Sequence, residues 1–544
     1  MGSARLRRGW ILALALCAAS GLLGAASFAP VQAWPLAWVA LAPMFWVVFA
    51  RPGRQGIIGA WLTGSVLVAA VMYWVARFGY LPWLLLAAVE GLAAGAAAAC
   101  ILIARPAPGW RRILFAAVSW TAWDWLRTLG RFGVPWAQIG QSQIPALPIA
   151  QVASVAGIDG LTFLVALFSA AVADAIACCA AQPGALRPSA GWRTGGSGQA
   201  AVPHSPVSLK NWRSVIIVAA FAAIAAAWGD FRIISIERGL RKAPSLRVAM
   251  IQASVETDLT GSDVDRAMTL EQREEYLSVN ESLSTRAAKS KPGLIIWPES
   301  SLPGNPLIEA DIMACLSRVA RRSRAWLIAG GHRWVVDSGD APAYVTYNSA
   351  FLVNPDGALR GIYDKVHLVP FGEYVPGRKW LPLVNRYPVL ALDTLAGKEF
   401  VVWRCAARVG PMICFESVFP YISRALRRKG AQLLVVITND AWFGLTAAAE
   451  QHMQIGRFRA IEEGVSVARA ATSGISCAIS PTGRIISRTL LAERSALVAD
   501  VPIAAMRTVY GAIGPAFPFV CLAAAIGVMV VKAVRRSVAR GGNE

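Results

Sequence analysis

The chain has 544 residues, of which 53 are Lys or Arg and 32 are Asp or Glu, so its formal net charge is +21. Charged residues make up 16% and apolar residues 56%, whereas a soluble globular protein has roughly 25% charged residues. This composition excludes a disordered chain and an ordinary soluble enzyme, and it predicts a membrane protein.

A bilayer-spanning helix needs ~20 mostly apolar residues. Seven segments that approach this length precede the middle of the chain, and one follows it. They cover residues 10–29, 35–50, 56–76, 80–104, 110–127, 156–181, 213–230 and 508–531. We interpret the first as an uncleaved span rather than a signal peptide, because six more spans follow it.

The distribution of acidic residues divides the chain into three parts. Residues 1–243 are predicted to form an N-terminal membrane region of about seven transmembrane helices. Residues 244–503 have ordinary globular composition, which predicts one soluble domain with a core of its own. Residues 504–544 are predicted to form a C-terminal transmembrane helix and a basic tail.

The basic residues lie mainly in short connections between the apolar segments rather than on one soluble unit. In such loops they act as topology signals, so we do not expect a nucleic-acid partner. With seven spans before the soluble domain and one after it, all of these loops fall on one side, which should be the cytoplasm. Both termini and the Pro-, Gly- and Ser-rich loop 182–212 are then cytoplasmic. The soluble domain lies outside, in the periplasm of a double-membraned bacterium.

Short apolar segments of β type alternate with charged, helical segments in the soluble domain. Strands are predicted at 247–253, 294–297, 326–329, 349–353, 412–414 and 433–438, and helices at 264–289, 307–323 and 421–429. This alternation indicates an α/β domain.

Three chemically useful side chains lie where apolar segments end, which is where active sites of α/β sheets collect. They are Glu299, Lys365 and Cys414. A thiolate is a nucleophile, a carboxylate can take its proton, and an ammonium can stabilise the oxyanion of an acyl-transfer intermediate. Each residue alone also has a structural explanation, as a helix cap, a solvated loop charge or a packed thiol.

The strings around these residues resemble a known superfamily. Ile-Ile-Trp-Pro-Glu299, Lys365-Val-His-Leu-Val-Pro-Phe-Gly-Glu373-Tyr-Val-Pro and Ile-Cys414-Phe-Glu416 are similar to the nitrilase (carbon–nitrogen hydrolase) superfamily. Its membrane-embedded branch, the apolipoprotein N-acyltransferases, is resembled by Asn439-Asp-Ala-Trp-Phe-Gly444, Gln451-His452 and Gly133-Val-Pro-Trp136. The resemblance covers nearly the whole chain.

The resemblance implies a multi-pass helical membrane region of about eight spans that carries a nitrilase-type αββα sandwich, in the bacterial inner membrane. It implies that an acyl chain passes from a phospholipid, through a cysteine thioester, to the free α-amine of the diacylglyceryl-cysteine of an apolipoprotein. Membrane lipids are therefore partners, and no cofactor or metal is expected.

The family's functional residues correspond to positions in this sequence. The family triad corresponds to Glu299, Lys365 and Cys414, and Glu373 and Glu416 match supporting positions. Trp442 and Phe443 are candidate contacts of the acyl chains, with core packing as the alternative.

Other functions remain compatible with the residues. A membrane-tethered amidase would use the same triad but transfer the acyl group to water. A non-catalytic paralogue would bind lipoproteins without turnover, and Gln252-Ala-Ser, where family members often have Gln-x-Asn, keeps that alternative open. His367 and His452 are expected to be structural, since four histidines form no ligand cluster.

A transporter is a further alternative, because acidic side chains inside a membrane often mark ion pathways. The relevant residues are Glu90, Asp124, Asp159 and Asp174. They are few, several lie near the ends of spans, and no inverted repeat is evident, so this alternative is rejected.

Overall fold

The structure, a computed structural model, describes residues 2–50, 53–180, 209–254, 270–337, 343–378 and 393–541. The predicted cytoplasmic loop 182–212 therefore lies outside the described residues, except for its last four. The first 6 residues of the helix predicted at 264–289 lie outside them as well.

The N-terminal part is a bundle of helices. They are α1 (Gly2–Ala26), α2 (Ala37–Ala40), α3 (Ala42–Ala50), α4 (Arg54–Val71), α5 (Tyr80–Ala104), α6 (Trp110–Leu126), α7 (Leu147–Ala150), α8 (Ala153–Ala180) and α9 (Leu209–Leu240). Short 3-10 turns at Trp34–Leu36, Tyr73–Phe78 and Ile139–Gln143 connect some of them.

Six helices of the described part are long and apolar enough to cross a membrane, fewer than the eight spans expected. They are α1, α4, α5, α8, α9 and the C-terminal helix Ala516–Gly541. The expected span 35–50 is instead divided into α2 and α3, because Pro43 lacks the N–H needed to continue a helix from the preceding turn. The expected span 110–127 is α6, which has only 17 residues and carries Arg111, Arg112 and Asp124.

Arginines pair with three of the four intramembrane acids. Arg127 donates to Glu90 at 2.9 Å and to Asp124 at 2.8 Å, and Arg112 pairs with Asp174 at 2.5 Å. A charge in this environment is tolerated when it is paired inside the bundle. Glu90 of α5 and Asp174 of α8 therefore tie their helices to α6, whereas Asp124 pairs with the arginine at the end of its own helix.

The part of the chain that follows α9 contains twelve strands within the described ranges. They are β1 (Ser245–Gln252), β2 (Leu294–Ile296), β3 (Trp326–Asp337), β4 (Ala343–Val353), β5 (Leu359–Asp364), β6 (Trp403–Arg404), β7 (Arg408–Ile413), β8 (Leu433–Thr438), β9 (Ser466–Ala471), β10 (Cys477–Ile479), β11 (Ile485–Arg488) and β12 (Ser495–Pro502). The remaining helices are α10 (Leu270–Ala288), α11 (Ala310–Ser323), α12 (Pro420–Arg428), α13 (Ala448–Glu463), α14 (Val509–Ile513) and α15 (Ala516–Gly541).

The strands form two six-stranded sheets, in the orders β12-β1-β2-β3-β4-β5 and β11-β10-β9-β8-β7-β6. Successive side chains of a strand point to opposite faces. Val248 of β1 and Val435 of β8 accordingly lie in one core between the sheets, whereas Ala249 packs against α11 and Leu434 packs in the cluster that includes α12. The layers are therefore helix, sheet, sheet, helix, and the predicted αββα sandwich is confirmed.

The second sheet and its helices lie against the membrane bundle. Gln451 of α13 donates to the carbonyls of Ala29 at 2.8 Å and Val71 at 3.1 Å, and it accepts from Nε1 of Trp136 at 2.9 Å. All three contacts are buried, and a buried hydrogen bond is costly to leave unmade. Gln451 therefore fixes the sandwich to the bundle close to the strand ends described next.

Candidate active site

Four strand ends bring the predicted residues together. Lys365 directly follows β5, Cys414 follows β7 and Asn439 follows β8, whereas Glu299 comes three residues after β2. These strands belong to the two facing sheets, so their ends meet at one edge of the sandwich. A Cβ atom at Gly330 of β3 would lie 2.6 Å from the Cα of Glu299, so only glycine lets the Glu299 turn approach this strand.

Lys365 lies between two carboxylates. Its Nζ is 3.4 Å from Oε1 of Glu299 and 3.0 Å from Oε1 of Glu373. Burial by itself lowers the pKa of Lys365, but the charges of Glu373 and Glu299 more than offset burial and raise it well above its usual range. The side chain is 1% exposed and remains an ammonium at neutral pH. It is a fixed positive charge at the strand ends.

Glu299 is oriented by three donors. Its Oε1 accepts from Nδ2 of Asn348 at 2.7 Å as well as from Lys365, and its Oε2 accepts from the backbone N–H of Asn439 at 2.7 Å. Asn348 also donates to Glu373 at 2.9 Å. Its amide therefore holds both carboxylates in place beside the lysine.

Cys414 is the first residue of a 3-10 helix (Cys414–Val418) that directly follows β7, and it lies in a strained turn. Its φ of 51° is in the left-handed region, which non-glycine residues rarely adopt and which is enriched at functional sites. Burial raises the pKa of the thiol well above its usual range, the charge of Glu299 raises it further, and Lys365 opposes them. The resting thiol is therefore neutral, and its activation requires a base.

Glu416 connects the Cys414 turn to the loop that begins at Lys365, called here the lysine loop. Its Oε2 accepts from the N–H of Ile413 at 2.8 Å, and its Oε1 accepts from the N–H groups of Val366 at 2.7 Å and His367 at 3.1 Å. The hydroxyl of Tyr363 donates to the same carboxylate at 2.8 Å. Burial raises the pKa of Glu416 to about 7, although these backbone donors oppose it. Glu416 thus sets the spacing between Lys365 and Cys414.

The remaining predicted residues lie around this cluster. Phe443 is buried and packs on Trp74 of the membrane bundle with ring centroids 4.7 Å apart. Trp442 is half-buried, and its ring centroid lies 6.4 Å from that of Phe78. Gln252 holds β1 to the turn after β11, because it donates to the carbonyls of Leu490 and Glu493 at 2.9 Å each. It is a structural residue.

Sequence reasoning missed Asn348 and assigned no role to Asn439. Asn348 lies in the polar part of β4, where no apolar pattern marks it. Asn439 belongs to the segment that resembles the family, and the signal that could have found it is its position directly after an apolar strand. Within the described residues, no group of three or more His, Cys, Asp or Glu side chains is arranged to hold a metal ion.

The chain is similar to known proteins along nearly its whole length. Residues 247–510 match the carbon–nitrogen hydrolase family, and residues 20–171 match the N-terminal domain of apolipoprotein N-acyltransferases. The apolipoprotein N-acyltransferase of Geobacter metallireducens is 32% identical over 544 residues, which cover 98% of this chain and 96% of the relative. That of Bradyrhizobium diazoefficiens is 29% identical over 571 residues, with coverage of 98% and 96%.

Among solved structures, an amidase from Nesterenkonia sp. is similar with a TM-score of 0.34 and 18% identity, covering 48% of this chain and 92% of the amidase. Both family domains match in order along the chain, and one relative is 32% identical at nearly full length. The chain therefore belongs to the apolipoprotein N-acyltransferase family and is a membrane N-acyltransferase that acts in the N-acylation of lipoproteins.

Proposed function

We propose that Glu299, Lys365 and Cys414 are the catalytic triad and that the acyl chain passes through a thioester on Cys414. The observation that carries this proposal is the buried ammonium of Lys365 held by Glu299 and Glu373 next to the Cys414 turn. Bringing these charges out of water costs free energy, which a purely structural site could avoid with apolar side chains. Thiol acyl transfer uses a base, a cation and a nucleophile in this arrangement.

In the first half-reaction, Sγ of Cys414 attacks the ester carbonyl carbon of a phospholipid while Glu299 accepts the thiol proton. The ammonium of Lys365 stabilises the tetrahedral oxyanion. The bond from the carbonyl carbon to the glycerol oxygen then breaks, and that oxygen takes the proton from Glu299. A lysophospholipid leaves, and the acyl chain remains on Cys414.

In the second half-reaction, the free α-amine of the diacylglyceryl-cysteine of an apolipoprotein attacks the thioester. Glu299 accepts a proton from the amine as the carbon–nitrogen bond forms. The carbon–sulfur bond breaks, Lys365 stabilises the departing thiolate, and the proton on Glu299 returns to it. The product is an amide, and the enzyme is restored.

The supporting residues have separate tasks in this scheme. Glu373 keeps Lys365 charged and accepts from the N–H of Val369 at 2.8 Å, which anchors the loop. Glu416 sets the distance between the lysine loop and the Cys414 turn. Trp442, half-buried beside Phe78 of the bundle, contacts acyl chains that enter from the membrane. Phe443, which is buried, supports that contact by packing beneath it.

We also propose the location. Residues 1–243 and 504–544 lie in the bacterial inner membrane with both termini in the cytoplasm, and residues 244–503 form the periplasmic catalytic domain. The basic loops support this orientation through the positive-inside rule. The chemistry supports it as well, because both substrates are anchored in a membrane and a site on a sandwich fixed to the bundle can reach them.

Phospholipid alone is expected to acylate the enzyme, because one nucleophile separates the reaction into two half-reactions. Intact-mass analysis should show the mass of one acyl chain, sensitive to neutral hydroxylamine and mapped to the peptide that contains Cys414. A diacylglyceryl-peptide with a free α-amine should discharge it into an amide, whereas the N-acetylated peptide should not.

Three outcomes of this experiment would contradict the proposal. A label on Cys405 or Cys477 would mean that the nucleophile is wrongly assigned. Discharge only to water would favour a membrane-tethered amidase. Binding of the peptide with no acyl-enzyme at any time would favour a non-catalytic lipoprotein-binding protein.

Thiol labelling in intact cells tests the orientation. Ser278→Cys, at an exposed position of α10, is expected to react with a membrane-impermeant maleimide once the outer membrane is permeable. His204→Cys, in the basic loop that lies outside the described residues, should react only after the inner membrane is opened. The unsubstituted protein gives the background, since it has nine cysteines. Equal labelling of both variants would refute the proposed topology.

A further inference from the structure

A buried polar cluster lies behind Cys414, and the proposed mechanism does not use it. It consists of four side chains from different elements. They are Ser417 in the turn after Cys414, Asp440 shortly after β8, His452 on α13 and Arg469 on β9. Each is no more than 2% exposed. Burying two charges and an imidazole is costly unless their hydrogen bonds are well made, so their arrangement calls for an explanation.

The cluster ends on the carbonyl oxygen of Cys414. Nε2 of His452 is 3.2 Å from that oxygen and 2.9 Å from Oγ of Ser417, which itself donates to the same oxygen at 2.8 Å. On the opposite side of the ring, Nδ1 is 3.0 Å from Nη2 of Arg469 and 3.1 Å from Oδ1 of Asp440. Arg469 also donates to Oδ2 of Asp440 at 2.6 Å.

These partners bear on which nitrogen of the imidazole carries the proton. We assign the imidazole proton to Nε2, because the Cys414 carbonyl oxygen can only accept and its 3.2 Å contact with Nε2 is then a hydrogen bond. Nδ1 then accepts from Nη2 of Arg469, and Oδ1 of Asp440 accepts from Oγ1 of Thr438 at 2.9 Å rather than from the ring. Burial lowers the pKa of His452, and the charge of Arg469 lowers it further although Asp440 opposes them, so the ring is neutral. His452 therefore presents one N–H, aimed at the Cys414 carbonyl.

The orientation of that carbonyl has a consequence for catalysis. The carbonyl of Cys414 and the N–H of Phe415 belong to one planar peptide, so fixing one direction fixes the other. The backbone N–H of the residue after a nucleophile at a strand-to-helix turn is a common oxyanion donor. Cys414, which contributes the carbonyl of this peptide, has a φ of 51°. That conformation persists only when its surroundings hold it.

We propose that His452, held by Arg469 and Asp440, is a positioning residue that fixes the Cys414–Phe415 peptide, so that the Phe415 N–H faces the oxyanion in both half-reactions. This inference rests on the proposed role of Cys414 as the nucleophile. The membrane bundle supports the ring as well, since Trp136 lies 5.7 Å from it between centroids. The bundle thereby contributes to the geometry of the oxyanion site.

Single-turnover kinetics with two matched substitutions test this role. In His452→Gln the amide nitrogen can occupy the position of Nε2 and donate to the Cys414 carbonyl, whereas in His452→Asn it reaches only the position of Nδ1. We expect His452→Asn to slow acylation and deacylation by the same factor, on the order of the 10²–10³ caused by loss of an oxyanion donor, with KM for phospholipid unchanged. His452→Gln should recover most of both rates.

The controls separate positioning from packing. Rates are measured per folded enzyme. Gln454 lies on the same helix, but its amide donates to Glu450 and not to the Cys414 turn. Gln454→Ala should therefore leave both rates unchanged. Equal rates for the Gln and Asn variants, or a change in KM without a change in kcat, would overturn the positioning role. Cys414→Ala is assayed alongside: turnover by that variant would overturn the proposed nucleophile itself. A dead Cys414→Ala beside a fully active His452→Asn would overturn only this inference.

Discussion

Replacing Cys414 by alanine is expected to abolish both the acyl-enzyme and the transfer of acyl chains to the lipoprotein amine. No other group in the proposed mechanism can hold the acyl chain between the two half-reactions. Cys414→Ser should accumulate little or no intermediate, because a hydroxyl is far harder to ionise than a thiol and its ester is a poorer acyl donor to an amine. Mass spectrometry after incubation with phospholipid measures the intermediate, and release of lysophospholipid measures the first half-reaction.

Cys477 provides a matched control for this substitution. It is a fully buried thiol on β10, and it has no part in the proposed chemistry. Cys477→Ala should therefore acylate normally, although it leaves a small cavity. Acyl transfer by Cys414→Ala at a rate near that of the unsubstituted enzyme would refute the mechanism.

Replacing Glu299 by glutamine is expected to slow acylation of the enzyme by a factor on the order of 10²–10⁴, the usual loss on removal of a general base. The raised pKa of the buried Cys414 thiol makes the base essential, because almost no thiolate forms without it. The glutamine amide also fits poorly. Oε1 and Oε2 of Glu299 both accept hydrogen bonds, from Asn348 and from the N–H of Asn439, so one donor would face the amide NH₂ in either orientation.

The measurement is the single-turnover rate of acyl-enzyme formation. Glu281→Gln, which removes a carboxylate on α10 that pairs with Arg318 at 3.1 Å, is the control and should acylate at the normal rate. A normal rate for Glu299→Gln would remove Glu299 from the triad. A uniform loss in both variants would point to the stability of the sandwich rather than to its chemistry.

The extent to which local sequence predicted the fold differs between elements. The strand Leu433–Thr438 was predicted with its observed bounds, because it is an unbroken apolar run followed by polar residues. By contrast, β3 and β4 extend well beyond the predicted 326–329 and 349–353. Their outer parts contain polar residues such as His332 and Tyr347, and they are strands because they pair with each other as a hairpin.

The helix α13 was not predicted at all. An amphipathic helix is recognised by an apolar face that alternates with a polar one. All the polar residues of α13 except Glu450 are buried, among them Gln451, His452, Arg459 and Glu462, since one side of the helix packs on the membrane bundle and the other on the turn that contains Cys414. No periodicity remains in the sequence to indicate the helix, because its surroundings supply the polar partners.

The sequence by itself determined that this is a membrane protein with an α/β domain, and it identified the residues proposed as the triad. Composition, apolar runs and residue strings are local properties, so they can be read without the fold. Only the tertiary structure decided which groups surround those residues. The N–H of Asn439 reaches Glu299 across 140 positions of the chain, and Gln451 reaches Ala29 across 422. Such contacts leave no local pattern, because hydrogen bonds between distant segments depend on how the two sheets and the bundle pack.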